Sequence, residues 1–223
     1  DASYDTVRAV YDYLVSNCTY DALNLDQSMY SVMVNHSGVC ASFAKAFEFI
    51  VQCLGIPCTV VNGRLLKSEG YLSTTLGHQW NILQLGDSWY HVDITSALSV
   101  SEAEWTDYRF LCATTDDILK THLIENPVDV VQCTSTDLEF FRYHGLCLDS
   151  YSRSDLADTM LKAMDMGLGL IAKFSNYRVY CEAIDDLFTH EGIFRAIEDA
   201  TGIVLNSVSY QLDEEQLTLR LDI

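Results

Sequence analysis

The sequence predicts an α+β protein in two parts. A helical apolar period through Cys40–Leu54 gives way to a strand–turn–strand pattern with alternating faces, and beyond Glu125-Asn126-Pro127 the order of elements starts afresh. The 223 residues are 49% hydrophobic and contain no low-complexity tract, enough to bury a core in each part. The expected division is a domain over 1–124 and a small α+β domain over 125–223.

Within residues 4–17, Val7, Val10, Tyr11, Leu14 and Val15 recur at helical spacing, which predicts an amphipathic helix. Residues 18–37 have no clear period and read as a long ordered loop that delivers the chain to Cys40. From Cys40 the apolar set Phe43, Phe47, Ile50, Val51 and Leu54 keeps a helical period, ended by Gly55-Ile56-Pro57. Cys58–Val61 is a short strand closed by Asn62-Gly63, and residues 66–76 read as a loop over the site. Two strands follow, joined at Gly86-Asp87. His78, Trp80 and Ile82 share one face of the first, and Trp89, His91, Asp93 and Thr95 one face of the second. With Leu85 opposite Ser88, Asp93 stands one diagonal step from His78, roughly 7–8 Å at the backbone. A slip of one residue would put the two on opposite faces.

Residues 101–121 mix a polar turn with Tyr108-Arg109-Phe110-Leu111 and complete the first domain. In the second part, 137–141 reads as a strand. Ser154 reads as the N-cap of a helix ending at Gly167, 168–174 as a strand, and 177–188 and 192–200 as helices. Residues 208–221 read as a hairpin with an acidic turn at Glu214-Glu215. No chemistry is legible in this part beyond an ordinary core.

Lys and Arg number 13 against 32 acidic residues, a formal charge of −19. Phosphate backbones and anionic membranes require positive charge, so nucleic acid is not an expected partner. No apolar run approaches the roughly 20 residues of a membrane span. The eight cysteines lack the spacing of a disulfide framework, and Cys53-x4-Cys58 has no second pair at zinc spacing, so no metal or cofactor is expected. Most of the sulfurs are expected to be buried and inert.

Cys40, at the start of a helix, faces unpaired N–H groups and the positive end of the helix dipole, and both stabilise a thiolate. A histidine can take and return its proton, and a carboxylate on the other ring nitrogen fixes the tautomer. His78 and Asp93 are the candidates for those roles, with His36 and His91 as rivals for the base. The Cys40 backbone N–H is a natural oxyanion donor. Gly38 and Gly77 would allow close approach of a substrate. The bland alternative for each residue taken singly is a buried thiol, a core histidine and a strand-end carboxylate.

Gly38-Val39-Cys40-x-x-Phe43-Ala44-x-Ala46-Phe47, Leu54-Gly55-Ile56-Pro57, Val61-Asn62-Gly63, His78-x-Trp80-Asn81 and Trp89-Tyr90-x-Val92-Asp93-x-Thr95 together resemble the core of the transglutaminase-like superfamily. The likeness runs over about residues 4–121. It implies a papain-like core in which N-terminal helices pack on an antiparallel sheet, with Cys40 as nucleophile, His78 as base and acid, and Asp93 as orienting residue. Asp26-Gln27-Ser28-x-Tyr30 resembles the segment that bacterial members place before the cysteine. Gln27, Tyr30 and Trp80 are therefore further candidates for substrate or oxyanion contacts. The chain departs from many members at Ala41-Ser42-Phe43 and Ser96-Ala97, which bears on substrate and subfamily. The resemblance implies a cysteine-dependent peptidase, amidase or protein-glutamine acyltransferase acting on protein or peptide, in a bacterial envelope or secreted setting, with the cytoplasm as the other compartment. The competing expectation is a non-catalytic binding or adhesion domain that retains the fold. A disulfide-rich surface protein is the third.

Overall fold

The structure is a computed structural model and describes residues 2–66, 76–100, 106–189 and 192–222. It divides into two compact units, Asp1–Phe140 and Phe141–Ile223. Residues 67–75 of the expected loop over the site, and 101–105 of the expected polar turn, lie outside the described residues.

The first unit opens with helix α1 (Ala2–Asn17), which buries Tyr4, Val7, Tyr11, Leu14 and Val15. The stretch 18–37 is more ordered than its sequence suggests. Two short strands, β1 (Thr19–Tyr20) and β2 (Ser37–Gly38), pair in parallel around a helix α2 (Met29–Asn35). That helix has two turns and buries only Ser31 and Val32, too little to leave a period in the sequence. The side chains of Asp21, Asn24 and Asp26 each accept from the backbone two residues on and so shape the approach to it.

Helix α3 (Cys40–Cys53) follows, with Phe43, Phe47 and Val51 in the core. It stops where Gly55 takes φ +82° ahead of Pro57. Gly38 serves packing rather than substrate access: a Cβ there would stand 2.8 Å from the Ser42 Cβ and 2.9 Å from a Val32 methyl. It lets α2 close on α3. Gly77 does open onto free space.

The sheet consists of β3 (Cys58–Leu65), β4 (Leu76–Leu85) and β5 (Ser88–Val92), then helices α4 (Ile94–Val100) and α5 (Thr115–Ile118), then β6 (His122–Ile124). Its order is β5-β4-β3-β6 and every pairing is antiparallel. Asn62-Gly63 does not close β3 but sits in its interior, where Gly63 opposes both His78 and Ile124. A Cβ at Gly63 would overlap the Leu123 carbonyl oxygen and stand 2.5 Å from the Trp80 ring, so glycine is what lets the indole lie across the sheet.

The β4–β5 hairpin keeps the expected register, with Leu85 opposite Ser88 and Gly86 at φ +59°. Pairing ends at Asn81–Val92. Asp93 and Thr95, expected on the second strand, lie beyond it: Asp93 immediately precedes α4 and Thr95 is in its first turn. α3 packs on this sheet, and Asn81 Nδ2 donates to the Ala44 carbonyl at 3.0 Å.

The segment after β6 stays with the first unit. The Cys133 N–H donates to Thr115 Oγ1 and the Tyr90 hydroxyl to Ser135 Oγ. Phe140 stacks on Tyr108 with centroids 3.9 Å apart. The junction thus falls at 140/141, later than the expected 124/125, because these contacts outweigh the Pro127 signal. Residues 137–141 form a turn leading into helix α6 (Phe140–Tyr143), not a strand.

The second unit is α+β. It contains β7 (Cys147–Leu148), α7 (Arg153–Asp165), β8 (Leu170–Phe174), α8 (Tyr177–Thr189), α9 (Gly192–Thr201), β9 (Ser209–Asp213) and β10 (Thr218–Asp222). The sheet order is β7-β8-β10-β9, and Leu156, Met160, Phe174, Leu187, Ile197 and Leu219 share its core. Ser152, not Ser154, caps α7 by accepting from the Asp155 N–H.

Gly63→Ala is expected to destabilise the protein by roughly 1–3 kcal/mol through forced overpacking, read as a lower urea midpoint at unchanged slope. An unaltered midpoint would show that the Trp80 contact is not tight.

Candidate active site

Cys40 is the first residue of α3. Its N-cap, Val39, is extended (φ −100°, ψ 174°) and has no side-chain acceptor for the amides of the first turn. The Val39 carbonyl takes the Ser42 and Phe43 N–H groups, which leaves the Cys40 and Ala41 N–H groups of the first turn for an anion. Because α3 lies along β4, Cys40 faces His78 and Gln79. The two flank a cleft of about 300 Å³, whose lining includes Gln27, Asn62 and Glu125.

Burial pushes the Cys40 thiol up. The hydrogen bond and charge of His78, with the backbone N–H groups of Gln79 and Ala41, outweigh it and bring the thiol below its ordinary value of 9.0. The other displaced thiols go the opposite way. Burial raises Cys18, Cys133 (to about 11), Cys58 (to about 12) and Cys112. Those four are buried, Cys147 is half-buried, and Cys53 and Cys181 are exposed, so fewer sulfurs are interior than expected.

His78 and Asp93 meet directly, with Nε2 to Oδ2 at 2.6 Å. Burial pulls the imidazole down, but the Asp93 charge and hydrogen bond, then Cys40, raise it to about 10. With Nε2 committed to Asp93, Nδ1 is the nitrogen left for Cys40. Asp93 is fully buried, which pushes its carboxyl up. His78 and His122 overcome this and hold it well below the ordinary carboxylate range. Oδ1 accepts from the Thr95 N–H, the Thr95 hydroxyl and the Ser96 N–H, and so caps α4. Oδ2 faces two imidazoles, since His122 Nε2 lies 2.8 Å away.

His122 went unrecognised in the sequence. Its only local signal is a short alternating run, His122-Leu123-Ile124, and β6 reaches Asp93 only because it pairs with β3. The cleft residues Asn62, Gln79 and Glu125 were missed for the same reason: they converge through β-pairing, not through a motif. Among the described residues, His78, Asp93 and His122 offer ligand atoms within 4.8 Å of one another. Both Nε2 atoms are already engaged by Oδ2, so a metal there would replace two hydrogen bonds.

The remaining candidates fall in different places. Gln27 lines the cleft and its carbonyl accepts from Lys45 Nζ. Tyr30 stands on α2, 59% exposed, and is not among the cleft residues. Trp80 is buried beneath the site, stacked on His78 at 5.9 Å with its Nε1–H donating to His91 Nδ1. His91 is a core residue. Its Nε2 meets Thr115 Oγ1, and burial, then His122, lower it to about 4. His36 ends α2 at φ 55°, exposed and outside the cleft.

The stability contributions follow from these directions. The His78 contribution is complete below 6.5, the unfolded value, and is lost as pH rises through about 10. The Asp93 contribution is present above 3.8 and is lost only as pH falls far below it. Asp93→Asn, which leaves two imidazole donors facing an amide, is expected to cost about 3–5 kcal/mol at pH 6 by denaturant titration. The loss of stability between pH 6.5 and 10 should also flatten. Wild-type stability in this variant would contradict the buried charge cluster.

Residues 1–94 match the model of the transglutaminase-like superfamily. Among solved structures, the chain is similar to a Cytophaga hutchinsonii protein provisionally described as a cysteine protease. That match has 24% identity and a TM-score of 0.37 over 41% of this chain and 31% of that one. It is also similar to a structure described as a TGase, at 20% identity and a TM-score of 0.36 over 44% and 28%. The chain spans less than a third of either. No curated protein matches it. The segment that matches the transglutaminase-like superfamily model ends one residue beyond Asp93.

Proposed function

We propose that the first unit is a thiol enzyme that opens a peptide or side-chain amide through an acyl-enzyme, with Cys40 as nucleophile, His78 as acid and base, and Asp93 as orienting residue. The observation that carries this reading is the opposed behaviour of the thiols. Cys40, at a cleft and beside His78, is drawn toward the thiolate, while burial drives Cys18, Cys58, Cys112 and Cys133 away from it.

The chemistry follows from the positions. Cys40 Sγ attacks the amide carbonyl, and the oxygen takes up negative charge beside the Cys40 backbone N–H and the Gln27 side-chain amide. His78 gives its Nδ1 proton to the departing nitrogen, the C–N bond breaks, and a thioester remains on Cys40. Water then attacks the thioester. His78 Nδ1 takes the water proton and Sγ leaves as thiolate, which restores the ion pair. An amine in place of water makes the same cycle an acyl transfer, and we favour hydrolysis as the main outcome. Asp93 keeps the His78 ring in the Nε2–H form throughout.

Wild type and Cys40→Ala, assayed on an amide peptide library with and without an amine acceptor, test the assignment. Turnover and a covalent acyl adduct by intact mass are expected in wild type only, and retained turnover in Cys40→Ala would refute it. Site-resolved iodoacetamide labelling separates an enzyme from a non-catalytic binding domain. Cys40 should remain reactive well below pH 9 in wild type and lose that reactivity in His78→Ala. An ordinary thiol profile, indifferent to His78, would favour the binding domain.

A further inference from the structure

Asp93 presents one oxygen to two rings. His78 Nε2 lies 2.6 Å and His122 Nε2 2.8 Å from Oδ2. The His122 side chain has no exposure to solvent. Its ring meets Trp80 at 4.9 Å and Phe110 at 5.9 Å, both edge-on. Its Nδ1 lies 2.8 Å from Thr121 Oγ1. An ionised carboxylate can only accept, so each imidazole must present an N–H at Nε2. Where Nδ1 carries no proton it accepts from the Thr121 hydroxyl, which lies closer to it, at 2.8 Å, than to the Ile118 carbonyl, at 3.4 Å. Two sets of donors therefore converge on Oδ2: Thr121 O–H to His122 and His122 N–H to Asp93 on one side, and His78 N–H to Asp93 on the other.

We propose that His122 is a positioning residue for the Cys40 centre, holding the Asp93 carboxylate ionised and turned so that Oδ2 fixes His78 with Nδ1 toward Cys40. The assignment rests on the reading of Cys40, His78 and Asp93 given above. Without His122, Oδ2 keeps a single partner, and the buried charge is left to His78 and the three donors on Oδ1. The carboxyl then takes a proton more readily, His78 loses its counter-charge, and the Cys40 thiolate loses its partner. Among the described residues, the other imidazoles near His122 are already engaged. His78 at 5.3 Å is itself the residue to be held, and His91 is occupied by Trp80 and Thr115. The Tyr11 hydroxyl, pushed up by burial and then by Asp107 and Asp93, already donates to the Asp107 carbonyl, and Tyr20, pushed up by burial and then by Cys40 and Asp93, is 48% exposed.

The test is the pH dependence of Cys40 alkylation, resolved by peptide mass spectrometry, with exposed Cys53 and Cys181 as internal references. His122→Leu, which keeps bulk but has no donor, is expected to move the Cys40 midpoint up by about one pH unit. This would slow labelling at pH 6 by roughly tenfold. His122→Gln, whose amide can donate from near the Nε2 position, should restore most of that loss. Thr121→Val, which leaves the ring in place, should shift the midpoint the same way by less. A purely structural role would affect the Leu and Gln variants alike. Equal shifts in the two, or a His122→Leu curve superimposed on wild type, would overturn the proposal. If His122→Leu does not fold, an unshifted Thr121→Val or a fully shifted His122→Gln overturns it. A wild-type Cys40 curve like those of Cys53 and Cys181 sinks the underlying reading as well. A lowered wild-type curve that depends on His78 but not on His122 sinks this inference alone.

Discussion

The first unit depends on one buried carboxylate. Asp93 accepts five hydrogen bonds, three on Oδ1 from the first turn of α4 and two on Oδ2 from His78 and His122. An ionised carboxylate with no partners in such a place would cost several kcal/mol, so the surrounding donors are a condition of the fold and not an addition to it. The two oxygens divide the work. Oδ1 ends the sheet and starts a helix, while Oδ2 orients the ring that faces Cys40. The turn that terminates β5 is thus also the turn that arranges the site.

Around that carboxylate, aromatic packing sets the ring positions. The Trp80 indole lies between His78 and His91, edge-on to His122, and has room to do so because Gly63 carries no side chain. Its N–H occupies His91 Nδ1, and Thr115 meets the other nitrogen. The same apolar wall therefore produces opposite results in two histidines. His91, without a carboxylate, is driven toward the neutral form, and His78, against Asp93, is held in the charged one. Burial lowers both, and only His78 has a carboxylate that reverses it.

The second unit, residues 141–223, closes its own four-stranded sheet under α7, α8 and α9 with a self-contained aliphatic and aromatic core. Among the described residues of either unit, no helix is long and apolar enough to cross a membrane.

Sequence alone determined what is local or periodic. α1 and α3 were legible because apolar residues recur at helical spacing, and the β4–β5 register because side chains alternate and Gly86 admits a positive φ. Cys40, His78 and Asp93 could be named as candidates because each stands in a motif on or beside such an element. Tertiary structure decided what depends on partners distant in the chain. α2 is too short to imprint a period, and the unit boundary moved because Ser135 and Phe140 bind back to Tyr90 and Tyr108. Asp93 proved to be a helix cap because pairing stops at Val92. His122 joined the site only because a three-residue edge strand pairs with β3 and brings its ring to Oδ2. A side chain that works through a contact 29 positions away leaves no mark on its neighbours in sequence, since nothing local is needed to put it there.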